Sequence, residues 1–233
     1  MTQQRHPDLI KTDIAKIENV PLRVVVANML RKAIINGQMK PGTPIVEMAL
    51  AEQLNVSRAP VREAIQDLEN DGLIETVPYK GKRVKPLTPK EVEELYSLRE
   101  QFEAFAIRRI VETEVDVSGL WAHCTAMQTA AEANDFEALM DADEAFHRTL
   151  ITLSDHRLLL SVWDNMFLRI HQIMALRNSA NRDLREVARN HPPIVRALEA
   201  RDMIKAISLI SDHTRSAADI KLNAALFEPR EPA

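Results

Sequence analysis

Glycine is scarce in this chain, with five in 233 residues, and aromatic residues make up only 4%. Sheet-rich folds use glycine in tight turns and aromatics in cross-strand packing, so the shortage argues against a sandwich or barrel as the main architecture. A single cysteine, Cys124, excludes an intrachain disulfide. It fits a reducing compartment and reads as a small apolar packing group rather than a nucleophile. No uninterrupted apolar run of about 18 residues occurs, which argues against a membrane-spanning helix. The first residues, MTQQRHPDLIKTD, lack the apolar centre of a secretory signal. The expectation is a soluble cytoplasmic protein without a membrane partner.

Hydrophobic residues supply 45% of the chain, rich in Ala, Leu, Ile and Met, which predicts a mainly helical protein of two modest domains. Charge divides unevenly between them. Residues 22–87 carry 10 Lys+Arg against 7 Asp+Glu, and residues 88–233 carry 17 against 24. A basic first region joined to an acidic second one suggests contact with a polyanion at one end only.

Residues 1–20 lack periodicity and read as an N-terminal arm. Val26, Leu30, Ala33 and Ile34 then recur at helical spacing up to Asn36-Gly37, and VEMALAEQLNV gives a short second helix. A third follows in SRAPVREAIQDLENDGL, with Ser57 suited to the N-cap, Pro60 tolerated in the first turn and Asp71-Gly72 as the stop. LIETV and KRVKP around Tyr79-Lys80-Gly81-Lys82 predict a two-stranded hairpin. From Thr88-Pro89, an N-cap with proline at the first helical position, everything reads helical: roughly 89–113, 117–133, 135–153, 156–179, 183–200 and 202–226. The predicted division is an arm (1–20), a winged helix-turn-helix (21–87), an all-helical domain (88–227) and a tail (228–233).

Three helices and a basic-tipped hairpin make the winged pattern a DNA-reading one. Val61, Ala64, Ile65 and Leu68 form the buried stripe of the third helix. Arg58 and Arg62, one turn apart near its start, flank that stripe and are free to grip phosphates or fork onto guanine. Lys80, Lys82 and Arg83 surround Gly81 on the wing. The stretch AIINGQMKPGTPIVEMALAEQLNVSRAPVREAIQDLENDGLIETVPYKGKRV resembles the DNA-binding domain of the GntR family of bacterial transcription regulators. The resemblance implies Ser57, Arg58, Ala59 and Arg62 as recognition-helix contacts and Lys80, Gly81, Lys82 and Arg83 as the wing. Where some relatives place a DNA-touching arginine in the second helix, this chain has Met48.

The second region poses a different question. In DFEALMDADEAFHRTLITL the apolar face of Phe136, Leu139, Met140, Phe146 and Leu150 also carries Asp143 and His147. Ionisable groups there need a partner or a metal, because unpartnered burial costs several kcal/mol. His213 shares a stripe with Ala206, Leu209, Ile210, Ala217 and Ile220, and His191 lies one turn before Ile194 and Val195. Three imidazoles and a carboxylate suit Zn²⁺, Ni²⁺ or Mn²⁺, though histidines separately satisfied by core hydrogen bonds give the same pattern. Arg99 sits on the apolar stripe of its helix with Val92, Leu95, Phe102, Ala106 and Ile110. It could clamp a carboxylate bidentately or pair with Glu103 one turn on.

Residues from about 88 to 227 resemble the FCD domain, the effector-binding helical bundle of the FadR-type GntR subfamily, through LYSLREQFEAFAIR, DADEAFH, His191 and His213. That resemblance implies a divalent metal held by Asp143, His147, His191 and His213, and a small carboxylate effector bound in its pocket. Pro192-Pro193 would put His191 at a helix start. The function implied is a homodimeric DNA-binding repressor reading a pseudo-palindromic operator, with Arg99 the candidate effector contact. A metal-dependent enzyme using the same Asp/His₃ set is the competing reading, but it lacks a general base: Glu144 points about 100° away from Asp143 around the helix.

Overall fold

The structure, a computed structural model, describes residues 20–178 and 184–218. The expected arm (except Val20), the expected helix beyond Ala218 and the tail lie outside the described residues. Two units follow each other along the chain. In the first, helices α1 (Leu22–Ile35), α2 (Glu47–Gln53) and α3 (Arg58–Asn70) pack with a small sheet of β1 (Pro44–Ile45), β2 (Ile74–Val77) and β3 (Gly81–Val84). Its core joins Val26, Leu30, Ile34, Val61, Ile65 and Leu68, on the stripes anticipated from periodicity, to Leu73 and Val84, while the anticipated Ala33 is only partly buried.

The sheet has three strands in the order β1-β3-β2, not the two expected. Pro44 and Ile45 pair with Arg83 and Lys82. A two-residue strand that begins with proline offers no alternation to read, so only the partner strand reveals it. The hairpin pairs Ile74 with Val84 and Val77 with Gly81, turning through Tyr79 (φ 63°) and Gly81 (φ 86°). Ser57 occupies the N-cap of α3 in extended conformation, but its hydroxyl makes no capping hydrogen bond.

The second unit holds α4 (Pro89–Thr113), α5 (Leu120–Glu132), α6 (Phe136–Leu153), α7 (Arg157–Asn178), α8 (Leu184–Asn190), α9 (Pro192–Glu199) and α10 (Met203–Ala218). Caps fix two of the helices that matter most. The Thr88 hydroxyl accepts from the Glu91 N–H at 3.1 Å ahead of Pro89, and the Asp135 carboxylate accepts from the Ala138 N–H at 3.0 Å. Asp135 thereby sets the start of α6, two turns before Asp143.

One predicted helix, 183–200, is two. Pro192 and Pro193 have no N–H to continue the α8 ladder, so the chain breaks at His191, which becomes the N-cap residue of α9. Two clusters fill the bundle, one around Phe146, Leu150, Ile194 and Ile210, the other around Tyr96, Trp163, Phe167 and Ile170. Cys124 is buried in the first, and burial pushes its thiol up to about 11, as expected of an inert packing group.

Candidate functional site: a metal centre behind a DNA-reading head

Asp143 and His147 lie one turn apart on α6 with their side chains fully buried. The break at His191 aims that imidazole inward from the α8–α9 junction, also fully buried, and His213 enters from α10. The four residues each offer one donor atom, all within 4.8 Å of one another. His147 Nε2 is 3.3 Å from His191 Nε2 and 3.2 Å from His213 Nε2, and Asp143 Oδ1 is 3.1 Å from His191 Nε2. All four residues implied by the sequence resemblance are thus brought together.

Tautomers show why this cluster fits a cation. The Nδ1–H of His191 donates to the Val187 carbonyl at 2.9 Å, which leaves Nε2 with a lone pair facing the centre. His147 Nδ1 lies 3.1 Å from Glu103 Oε1, so its proton belongs on that side and its Nε2 lone pair also faces inward. Two lone pairs little more than 3 Å apart repel unless a positive charge sits among them. The electrostatics agree. Burial lowers the His147 pKa, helped by Arg99 and opposed by Glu103 and Asp143. Burial, His191, His147 and Arg99 hold His213 well below the usual imidazole range. Burial alone would raise Asp143, but its neighbours, the Arg99 guanidinium among them, depress it far below an ordinary carboxylate. Neutral His147 and His213 beside an ionised Asp143 are in the protonation states in which these groups ligate a metal.

Behind His147 stands a buried ion pair. Arg99 Nε donates to Glu103 Oε1 at 2.8 Å, with both side chains fully buried. The sequence left Arg99 open between this pair and a carboxylate clamp, and the pair is formed. Both terminal nitrogens of the guanidinium are buried without a hydrogen-bond partner among the described residues. The guanidinium carbon lies 5.8 Å from the Tyr96 ring centroid and 5.6 Å from that of Phe167. Burial would raise the Glu103 pKa, yet Arg99 and His147 bring it down to about 2. The contact of Glu103 with His147 was missed in the sequence, where 44 positions separate the two. Glu144 pairs instead with His171 at 2.9 Å, away from the cluster.

On the head, Arg58 and Arg62 are exposed and share one carboxylate oxygen, Glu47 Oε2, at 3.7 and 3.2 Å. Glu47, the first residue of α2, was not anticipated; its helix reads as scaffold, and nothing in its spacing points at α3. Ala59 is exposed beside them, as is Met48. On the wing, Lys82 pairs with Glu69 and Arg83 with Glu75, whereas Lys80, Gly81 and Tyr79 are exposed at the tip. The wing charge is therefore partly neutralised from within.

Comparison with known proteins agrees with this layout. Residues 22–84 match the model for bacterial regulatory proteins of the gntR family, and residues 94–216 match the FCD domain. The chain is 32% identical over 199 residues to the "Probable D-xylose utilization operon transcriptional repressor" of Paenarthrobacter nicotinovorans, covering 82% of this chain and 86% of that one. It is 29% identical over 194 residues to the gluconate operon transcriptional repressor of Bacillus licheniformis, with 79% of each chain covered. Among solved structures, E. coli McbR/YncC superposes with a TM-score of 0.75 at 23% identity, covering 90% of this chain and all of that one, which shows a shared fold. These relatives are regulators, not enzymes. Among the described residues no helix is long and apolar enough to cross a membrane.

Proposed function

As a member of the GntR family of bacterial regulatory proteins carrying an FCD domain, this chain is a DNA-binding transcriptional regulator of the repressor type, and we propose that a small carboxylate held at a divalent metal in the helical domain sets its operator affinity. One observation carries this reading: three imidazole nitrogens and a carboxylate converge beside a buried guanidinium whose terminal nitrogens have no hydrogen-bond partner among the described residues. Asp143, His147, His191 and His213 would hold Zn²⁺, Ni²⁺ or Mn²⁺. When bound there, the ion supplies positive charge and open positions for a carboxylate oxygen.

The chain's own residues do the rest. Glu103 orients His147, and Val187 orients His191. Arg99 offers its two terminal nitrogens to the second carboxylate oxygen or to a neighbouring hydroxyl of the effector. A ligand that fits one arrangement of the two reader heads better than another shifts operator binding by that difference in affinity. We place two chains in the cytoplasmic regulator, because two recognition helices about 34 Å apart match a pseudo-palindromic operator. Sugar acids such as gluconate are the first effectors to try, since one relative is named for the gluconate operon.

In the head, Arg58 and Arg62 are the recognition-helix contacts together with Ser57 and Ala59, and Lys80, Gly81, Lys82 and Arg83 meet the backbone from the wing. Arg58→Ala is expected to weaken operator binding by about 1–3 kcal/mol, or roughly 5- to 150-fold. Fluorescence anisotropy on the duplex upstream of its own coding region measures this, and an unchanged affinity would remove Arg58 from the contacts. Glu47→Gln should act in the opposite sense on non-specific DNA. It removes a negative charge from the DNA face and frees both arginines, so affinity for a scrambled duplex is expected to rise by a few-fold while discrimination falls. The ratio of operator to scrambled-duplex affinity at fixed salt checks it.

A further inference from the structure

Helix α7 belongs to the bundle, yet three successive residues in it face three different parts of the molecule. Phe167 is buried under the Arg99 guanidinium. Leu168 packs against the core of the reader head. Arg169, nearly fully buried, reaches the connection between the two units: its terminal nitrogens donate to the Lys85 carbonyl at 3.3 Å, the Pro86 carbonyl at 3.0 Å and Glu91 Oε1 at 3.0 Å. The same group also donates to Gln172 Oε1, and Glu91 takes Lys85 Nζ at 2.9 Å. Steps of about 100° per residue make this three-way division possible on one turn.

The Arg169 guanidinium joins the bundle, through Gln172 and Glu91, to the connection between the units. Two of its acceptors are carbonyls of the interdomain connection, and the others are the carboxylate of the first turn of α4 and Gln172 Oε1 one turn along α7. Two turns further along α7, Leu176 lies against the turn that closes α1, where a Cβ added to Gly37 would meet its Cδ2 at 3.1 Å. The head is thereby seated on α7 at two places and tied at a third. A rigid element that touches Arg99 through one residue and the head and its connection through the next two is the physical requirement for coupling the sites.

We propose that Phe167, Leu168 and Arg169 form the coupling element of this regulator, with Arg169 the positioning residue that fixes the reader head to the helix sensing the Arg99–metal cluster. This rests on the metal reading above for what is sensed, but the mechanical link is testable without it. A lysine cannot fork across two carbonyls and a carboxylate, and a methionine keeps the volume without any donor.

Differential scanning calorimetry on the full-length protein, with and without Zn²⁺, decides the matter for wild type, Arg169→Met and Arg169→Lys. Wild type should unfold in one coupled transition that Zn²⁺ moves as a whole. In Arg169→Met the head should unfold separately, about 4–8 °C earlier, and Zn²⁺ should raise only the later, bundle transition. A merely structural arginine would lower the single transition without splitting it, and that result overturns the proposal. Arg169→Lys, which retains the charge and guards against misfolding of the methionine variant, should show a smaller split. If Zn²⁺ moves no transition even in wild type, the metal reading fails, while the presence or absence of the split still judges the coupling element.

Discussion

Replacing His147 with alanine is expected to strip the bundle of its divalent metal. The imidazole is the hub of the cluster, 3.2 and 3.3 Å from the two other imidazole nitrogens, and it alone connects the cluster to Glu103. Four-ligand protein sites bind zinc with roughly 10–16 kcal/mol, so one ligand of four accounts for about 3 kcal/mol, or on the order of 100-fold in affinity. Metal analysis after dialysis against a weak chelator should find about one ion per wild-type chain and almost none in His147→Ala. His213→Ala should behave alike. Full occupancy in both variants would mean that the three imidazoles meet for another reason.

Glu103→Ala should do the most damage to stability. It leaves the Arg99 guanidinium fully buried without its hydrogen-bonded carboxylate, and breaking one side of a buried ion pair costs about 3–5 kcal/mol. His147 loses its orienting carboxylate in the same step, which should weaken metal binding by about 10- to 100-fold. Removing both partners, as Arg99→Met with Glu103→Leu, should restore most of the stability but none of the carboxylate response. Urea unfolding separates these outcomes: a double variant no more stable than Glu103→Ala would show that the pair itself is not the source of the loss.

The same carboxylate gives an acid signature. Its pKa is depressed in the folded chain from the ordinary 4.5 to about 2. A depressed acid stabilises the fold above its unfolded value, and that contribution fades as pH falls from about 4.5 towards 2. Wild type should lose this part of its stability across that window, and the Arg99→Met, Glu103→Leu double variant should lack it.

Much of this was legible in the sequence because the polar residues concerned interrupt otherwise apolar stripes. Asp143 and His147 stand on the buried face of α6, and Arg99 and Glu103 on that of α4, where one helical turn makes their pairing a local matter. His191 was legible through its place one turn before Ile194 and Val195, whereas the break at its prolines turned one expected helix into two. What stayed hidden depends on tertiary approach. Glu103 reaches His147 across two helices, and Glu47 draws Arg58 and Arg62 together from a neighbouring helix. Strand β1 is too short to carry a period, and it exists only because β3 offers an edge. Arg169 was equally invisible, since its acceptors are backbone carbonyls, which no side-chain pattern records.

The central claim is that a carboxylate at the metal cluster changes how tightly the head holds its operator. Its most direct test is an anisotropy titration of the metal-loaded protein on the duplex upstream of its own coding region, repeated across a panel of sugar acids and small dicarboxylates, for wild type and His147→Ala. The account predicts salt-dependent, saturable binding, with at least one carboxylate shifting the wild-type affinity by about 5- to 150-fold and leaving His147→Ala unmoved. Wild-type affinity that stays the same with every carboxylate, or a shift that His147→Ala retains in full, would contradict it.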